Sequence, residues 1–174
     1  MDPAVGILLA VNLVAGIGGA ILLAGMLGRV HGAPGRRSRC FAILIAVYFV
    51  EGVALAMGMG IPVFSVGLAV VWGVVFARWL RRAAAPVRAI LKAAVCLSLY
   101  TSLPALSFLV VPLLMWFAGW PILSAEAGQR FGIPGFLPWP VGTILGFYAV
   151  TCLGGALLKT TITTGEVGLL IRRG

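Results

Sequence analysis

Acidic residues are almost missing from this sequence, which has 4 Asp and Glu against 13 Lys and Arg in 174 residues. Charged residues make up 10% of the chain, whereas soluble domains average about 25%. This scarcity excludes an ordinary water-soluble globule. Hydrophobic residues make up 61% of the chain, enough for about five membrane helices of about 20 residues each. Little is left for an extramembrane domain.

The residues that carry catalysis or bind metals are equally scarce. His31 is the only histidine, which excludes a haem with two histidine ligands and a histidine-rich metal site. The cysteines Cys40, Cys96 and Cys152 lie far apart, so a disulfide framework or a thiolate metal site is not expected. The chain lacks a phosphate-binding P-loop and an HExxH motif, and Asp2 is its only aspartate. We expect a protein that is not an enzyme, with no cofactor of its own and with lipid, quinone or pigment contacts only through partner subunits.

Five apolar runs are long enough to cross about 30 Å of hydrocarbon. Backbone polar groups in lipid must be satisfied within the segment, so these runs are predicted to be helices. The predicted fold is all-α, a polytopic helical membrane bundle forming a single domain over residues 1–174. Its parts are spans at about 5–27, 41–59, 63–80, 93–118 and 141–158, an outer loop at 119–140 and a cytoplasmic tail at 159–174.

The basic residues predict an orientation for these spans. With five spans, the segments 28–40, 78–92 and 159–174 fall on one side of the membrane, and they hold 12 of the 13 basic residues. The positive-inside rule then places the N-terminus outside and the C-terminus in the cytoplasm, in a cell inner (plasma) membrane. We interpret the net charge of +9 as a topology signal that also contacts anionic lipid, and not as a nucleic-acid surface.

Small residues mark the faces where helices are expected to pack closely. Helices in lipid associate without a hydrophobic driving force, so their contacts favour residues that let the backbones approach. We expect close helix contacts at Gly16, Gly19, Ala20 and Gly52.

Glu51 is the most informative residue of the sequence because it is the only ionisable group well inside a predicted span. A charge near the middle of a membrane helix costs about 2.5–3.5 kcal/mol on insertion scales, so it should face protein or water. Counting from the outer span ends places Asn12 and Tyr148 at a similar depth. We predict that the three residues form one buried polar layer, either a proton or ion site or a structural hydrogen-bonded group.

The outer loop carries Trp120 and Trp139, where an aromatic belt or a docking surface for a neighbouring subunit is expected. Two function hypotheses remain open. The first is a non-catalytic subunit of a larger respiratory, photosynthetic or transport complex, which packs and positions other integral-membrane subunits. The alternative is a small proton- or cation-translocating protein that uses Glu51.

Overall fold

The computed structural model describes residues 3–31, 37–57, 62–83, 85–117 and 141–172. In these ranges the chain forms α-helices and no strand. The helices are α1 Pro3–Val30, α2 Arg37–Met57, α3 Val63–Leu80, α4 Val87–Phe117 and α5 Val141–Arg172.

Four helices are long and apolar enough to cross a membrane, namely Gly6–Val30, Arg37–Met57, Val63–Leu80 and Val87–Ser107. They overlap the first four predicted spans, and the third has the predicted bounds of 63–80. Large apolar side chains cover their outward faces, and Leu22 and Phe49 are 76% and 71% exposed. An apolar exterior of this kind matches lipid as the surrounding solvent. The all-helical membrane fold predicted from the sequence is confirmed at this level.

Helix α4 lies at the centre of the bundle and packs against each of the other four helices. The most extensive contacts are those of α5 with α3 and α4. A continuous apolar core fills the centre; its fully buried members include Leu44, Phe76, Leu80 and Leu97. This arrangement brings four helices, α2 to α5, around one interior region.

Helix α5 differs from the prediction because it continues past the expected span end at Leu158 as far as Arg172. At about 1.5 Å per residue its 32 residues extend about 48 Å. The segment predicted as a cytoplasmic tail is therefore helical up to Arg172. The consequence is largest for Lys159, which the sequence analysis counted as a tail charge and which lies inside the bundle at 1% exposure.

Two tyrosine rings fill notches that glycines leave in α1. A Cβ at Gly16 would lie 2.7 Å from the Tyr48 ring, and a Cβ at Gly19 would lie 2.8 Å from the Tyr100 ring. The Tyr100 hydroxyl donates to the Gly16 carbonyl at 3.1 Å. Each glycine thus stands where a side chain would separate α1 from its neighbour.

The other two predicted packing positions, Ala20 and Gly52, differ in how closely their surroundings pack. Ala20 is fully buried in the apolar core. Gly52 lies on α2 where an added Cβ meets no atom within 4 Å among the described residues. Trp120 and Trp139, predicted as a docking surface, lie outside the described residues.

Candidate functional site

Glu51 points into the bundle because of its position in the apolar pattern of α2. The buried residues of this helix recur every three or four positions, which defines one face; they are Cys40, Leu44, Val47, Glu51, Ala54 and Leu55. Glu51 occupies one place in this row and is 1% exposed. Its carboxylate is therefore held inside the protein by the helix register, away from lipid.

A buried ion pair joins Glu51 to Lys159 of α5. The Lys159 ammonium lies 2.5 Å from Glu51 Oε1, and each side chain is 1% exposed. Two side chains of α3 also donate to the carboxylate: the Ser65 hydroxyl to Oε2 at 2.6 Å and the Trp72 indole N–H to Oε1. Both oxygens of Glu51 thus have hydrogen-bond donors.

The Lys159 ammonium is also fully engaged. Besides Glu51, it donates to the Ser65 hydroxyl and to the Thr101 carbonyl oxygen, each at 3.0 Å. A lysine ammonium has three N–H donors, so every one has an acceptor. Ser65 both accepts from Lys159 and donates to Glu51, and it links the two charges by a second route. We call these five residues, Glu51, Ser65, Trp72, Thr101 and Lys159, the ion-pair cluster.

Three members of the cluster, Glu51, Thr101 and Lys159, lie at one level of the bundle, at similar distances from the helix ends that carry basic residues. Helix α2 begins at Arg37 and rises about 20 Å before it reaches Glu51. Helix α5 rises about 20 Å between Lys159 and its end at Arg172. Helix α4 rises about 20 Å from its first residue to Thr101. The charges therefore meet deep between the two faces of the bundle.

Pairing is what makes these buried charges tolerable. An unpaired ion in a low-dielectric interior costs several kcal/mol, and an opposite charge with complete hydrogen bonding approximately offsets that cost. Such a pair is weak evidence for added stability. Ionisable groups inside a membrane bundle are rare and commonly mark ion or proton pathways, so the cluster is the strongest candidate site of the described chain.

The structure places the predicted partners of Glu51 elsewhere. The Asn12 side-chain amide donates to the Ser107 hydroxyl at 2.6 Å and accepts from the Tyr48 hydroxyl at 2.9 Å. These contacts link α1, α2 and α4 in a separate polar group. Along α4, Ser107 lies about 9 Å beyond Thr101.

Tyr148 packs in a small cluster with Leu109 and Cys152. It precedes Lys159 on the same helix, and the rise between the two is about 16 Å. Asn12 and Tyr148 therefore meet α4 within about 3 Å of each other along the helix, at Ser107 and Leu109, whereas Glu51 lies at the level of Thr101. The depth count failed because the sequence alone did not show that α5 meets Glu51 at Lys159.

Lys159 is the candidate functional residue that sequence reasoning missed. Its charge, next to the end of an apolar run, was interpreted as the edge of the membrane. A usable signal was present in the spacing, since the buried residues Cys152, Lys159, Thr163 and Val167 follow one another at intervals of seven, four and four. This spacing keeps all four on one helix face and predicts that the face continues past Leu158.

No protein-family model, curated protein or solved structure matches this chain. Within the described ranges, no group of three or more His, Cys, Asp or Glu side chains could hold a metal ion.

Proposed function

We propose that this chain is a small proton-translocating membrane protein in which Glu51 and Lys159 carry the proton. The observation that supports the proposal is their buried ion pair, with 2.5 Å between the Lys159 ammonium nitrogen and Glu51 Oε1. At this distance a proton can move along a hydrogen bond from nitrogen to oxygen. The pair also supplies the basic partner without which a single acid is incomplete machinery for transport.

The proposed cycle uses only these two groups. Lys159 donates a proton to Glu51, which converts the ion pair into a neutral amine and a neutral acid. Glu51 then releases that proton toward one side of the membrane, and Lys159 takes up another from the opposite side. The ion pair is restored and one proton has crossed. The internal transfer leaves no isolated charge in the low-dielectric interior, because both groups become neutral together.

In the proposed topology all five helices cross the inner membrane, with the N-terminus outside and the basic helix ends in the cytoplasm. The similar distance of Glu51, Thr101 and Lys159 from the basic ends supports this arrangement. It places Lys159 well inside the hydrocarbon. Lys159 then belongs to the transport site rather than to the cytoplasmic tail.

The test is proton flux into liposomes that contain the purified protein and a pH-sensitive dye, driven by a potassium diffusion potential. We expect Glu51→Gln and Lys159→Met to reduce flux to that of protein-free liposomes. Lys92→Met is the matched control, because Lys92 is exposed near the start of α4, and it should retain the wild-type rate. Full flux in Glu51→Gln would refute the carrier role.

A loss of flux must not come from misfolding. The double variant Glu51→Gln with Lys159→Met removes both charges together, and such replacements of buried pairs are commonly neutral for stability. We expect it to fold as wild type and still to carry no protons. Flux that returns in the double variant would show that the pair only holds the helices together.

A second candidate is the non-catalytic subunit of a larger membrane complex, and one observation favours it. Glycines occupy outward-facing positions of α5, where an added Cβ at Gly142, Gly146 or Gly165 meets no atom within 4 Å among the described residues. Small residues on a lipid-facing surface suit contact with another membrane helix. Extraction in mild detergent followed by mass spectrometry tests this role. A stoichiometric set of other subunits would support it, and a lone chain or homo-oligomer would contradict it.

A further inference from the structure

A second acidic residue, Glu166, lies on the same face of α5 as Lys159. Residues 159, 163 and 166 are spaced at intervals of four and three, which aligns them along one side of a helix. Lys159 and Thr163 are buried, and the Thr163 hydroxyl donates to the Ala69 carbonyl of α3 at 3.2 Å. From Lys159 to Glu166 the helix rises about 10 Å toward the basic end of the bundle.

The carboxylate of Glu166 lies directly over Gly73 of α3. A Cβ added at Gly73 would overlap Glu166 Oε2 and would lie 2.9 Å from the Glu166 Cβ and Cδ atoms. The absence of a side chain at position 73 therefore makes the space for this carboxylate. Gly73 directly follows Trp72, whose indole donates to Glu51. Consecutive residues of α3 thus contact the two acids.

Glu166 Oε2 is buried and has no hydrogen-bond partner among the described residues. A buried acceptor without a donor costs free energy. Orphaned polar groups are uncommon in native proteins and call for an explanation. The unpartnered Glu166 carboxylate also lies on the same face of α5 as Lys159.

The charged groups on the helices packed against Glu166 do not neutralise it within the described chain. On α3 the basic residue nearest to Gly73 in sequence is Arg78, and on α4 the basic residues are Arg88 and Lys92. All three are exposed. On α5 itself, Arg172 is exposed at the helix end, and Lys159 is engaged with Glu51.

We infer that Glu166 is a second proton-binding carboxylate, which exchanges protons between the basic side of the membrane and the ion-pair cluster. This inference rests on the proposed function for its direction. The Glu166 carboxylate takes a proton from a hydronium ion at the basic side and becomes a neutral acid. It passes that proton to the neutral amine of Lys159, which lies about 10 Å further along the same face of α5. Glu166 is then a carboxylate again and Lys159 an ammonium.

The first readout is proton binding, which does not require transport. We would record infrared difference spectra of the reconstituted protein between two pH values, following the carbonyl stretch of protonated carboxylic acids. We expect a reversible band in the wild type that is missing in Glu166→Gln and displaced in frequency in Gly73→Ala. Gly67→Ala is the matched control, because Gly67 lies on the same helix with no atom within 4 Å of its added Cβ, and it should keep the wild-type band.

The second readout is the flux assay on the same variants. We expect at least a tenfold loss of flux in Glu166→Gln and Gly73→Ala and the wild-type rate in Gly67→Ala. If Glu166→Gln loses the band but the wild type carries no flux, the proton-binding site stands and the proposed transport function falls. If flux depends on Glu51 yet is unchanged in Glu166→Gln, transport stands and the role of Glu166 is overturned. A spectrum of Glu166→Gln identical to that of the wild type also overturns it.

Discussion

Removing one member of the ion pair should destabilise the protein far more than removing both. In Lys159→Met, the Glu51 carboxylate stays buried with donors from Ser65 and Trp72 but without a compensating charge. In Glu51→Gln, the Lys159 ammonium is the uncompensated charge, held by Ser65 and the Thr101 carbonyl. Breaking a buried pair in this way costs about 3–5 kcal/mol. Because about 1.36 kcal/mol corresponds to a factor of ten, the equilibrium constant for unfolding of each single variant should rise roughly 150- to 5,000-fold.

The double variant Glu51→Gln with Lys159→Met should recover most of that loss. The glutamine oxygen still accepts from the Trp72 indole, its NH2 group can donate to the Ser65 hydroxyl, and the methionine side chain replaces the apolar stem of the lysine. No buried charge remains, so we expect the double variant to be more stable than either single variant. The coupling energy between the two positions should then be about 3 kcal/mol or more.

The measurement is reversible unfolding in mixed micelles, followed by circular dichroism for the wild type, both single variants and the double variant. Lys92→Met serves as the surface control, with an expected change within about 0.5 kcal/mol because exposed substitutions far from special features have small effects. Independent sites add within about 0.3–0.5 kcal/mol. A coupling energy inside that range would show that the two charges do not depend on each other and would refute the reasoning.

Three further predictions follow from contacts away from the ion pair. Gly16→Ala should lower the free energy of unfolding by about 1–3 kcal/mol, because its Cβ would overlap the Tyr48 ring. Gly18→Ala has open space around the added Cβ and should raise the free energy of unfolding by up to about 1 kcal/mol. Thermal unfolding in detergent compares the two variants, and equal effects would contradict the packing argument. Ser107→Ala removes the acceptor of Asn12 and should cost about 0.6 kcal/mol, the average for hydrogen bonds inside a membrane bundle, as measured by micelle unfolding. Protease added to intact cells should remove a tag at the N-terminus and spare one at the C-terminus, and the opposite result would reverse the proposed orientation.

The sequence predicts the existence of α1 to α4 because each contains an apolar run long enough to cross the bilayer. The predicted third span, 63–80, has the bounds of α3, and the predicted second span, 41–59, overlaps most of α2. The cost of a charge in lipid also predicts that Glu51 faces protein or water, and the structure buries it on α2. These features are local, so a single sequence is enough to find them.

The spacing on α5 indicates a face that includes Lys159, but the pairing of Lys159 with Glu51 could not be predicted from the sequence. A lysine at the end of an apolar run normally marks the membrane surface, because burying it alone is costly. For Lys159 that cost is offset by the Glu51 carboxylate, which lies 108 positions earlier in the chain and contacts the ammonium. Glu166 was missed for a related reason: the position of its buried Oε2 atom depends on Gly73, a glycine on another helix.

The separation of Glu51 and Lys159 along the chain has a consequence for how the protein is made. A ribosome adds about 5–20 residues per second, so the 108 positions between them take about 5–20 s to synthesise. When helices enter the membrane in the order of synthesis, Glu51 spends that interval without its lysine. Ser65 and Trp72 follow it by only 14 and 21 residues, and the α2–α3 hairpin supplies both as early donors. During biogenesis the α2–α3 hairpin thus provides hydrogen-bond donors to the Glu51 carboxylate until α5 is inserted.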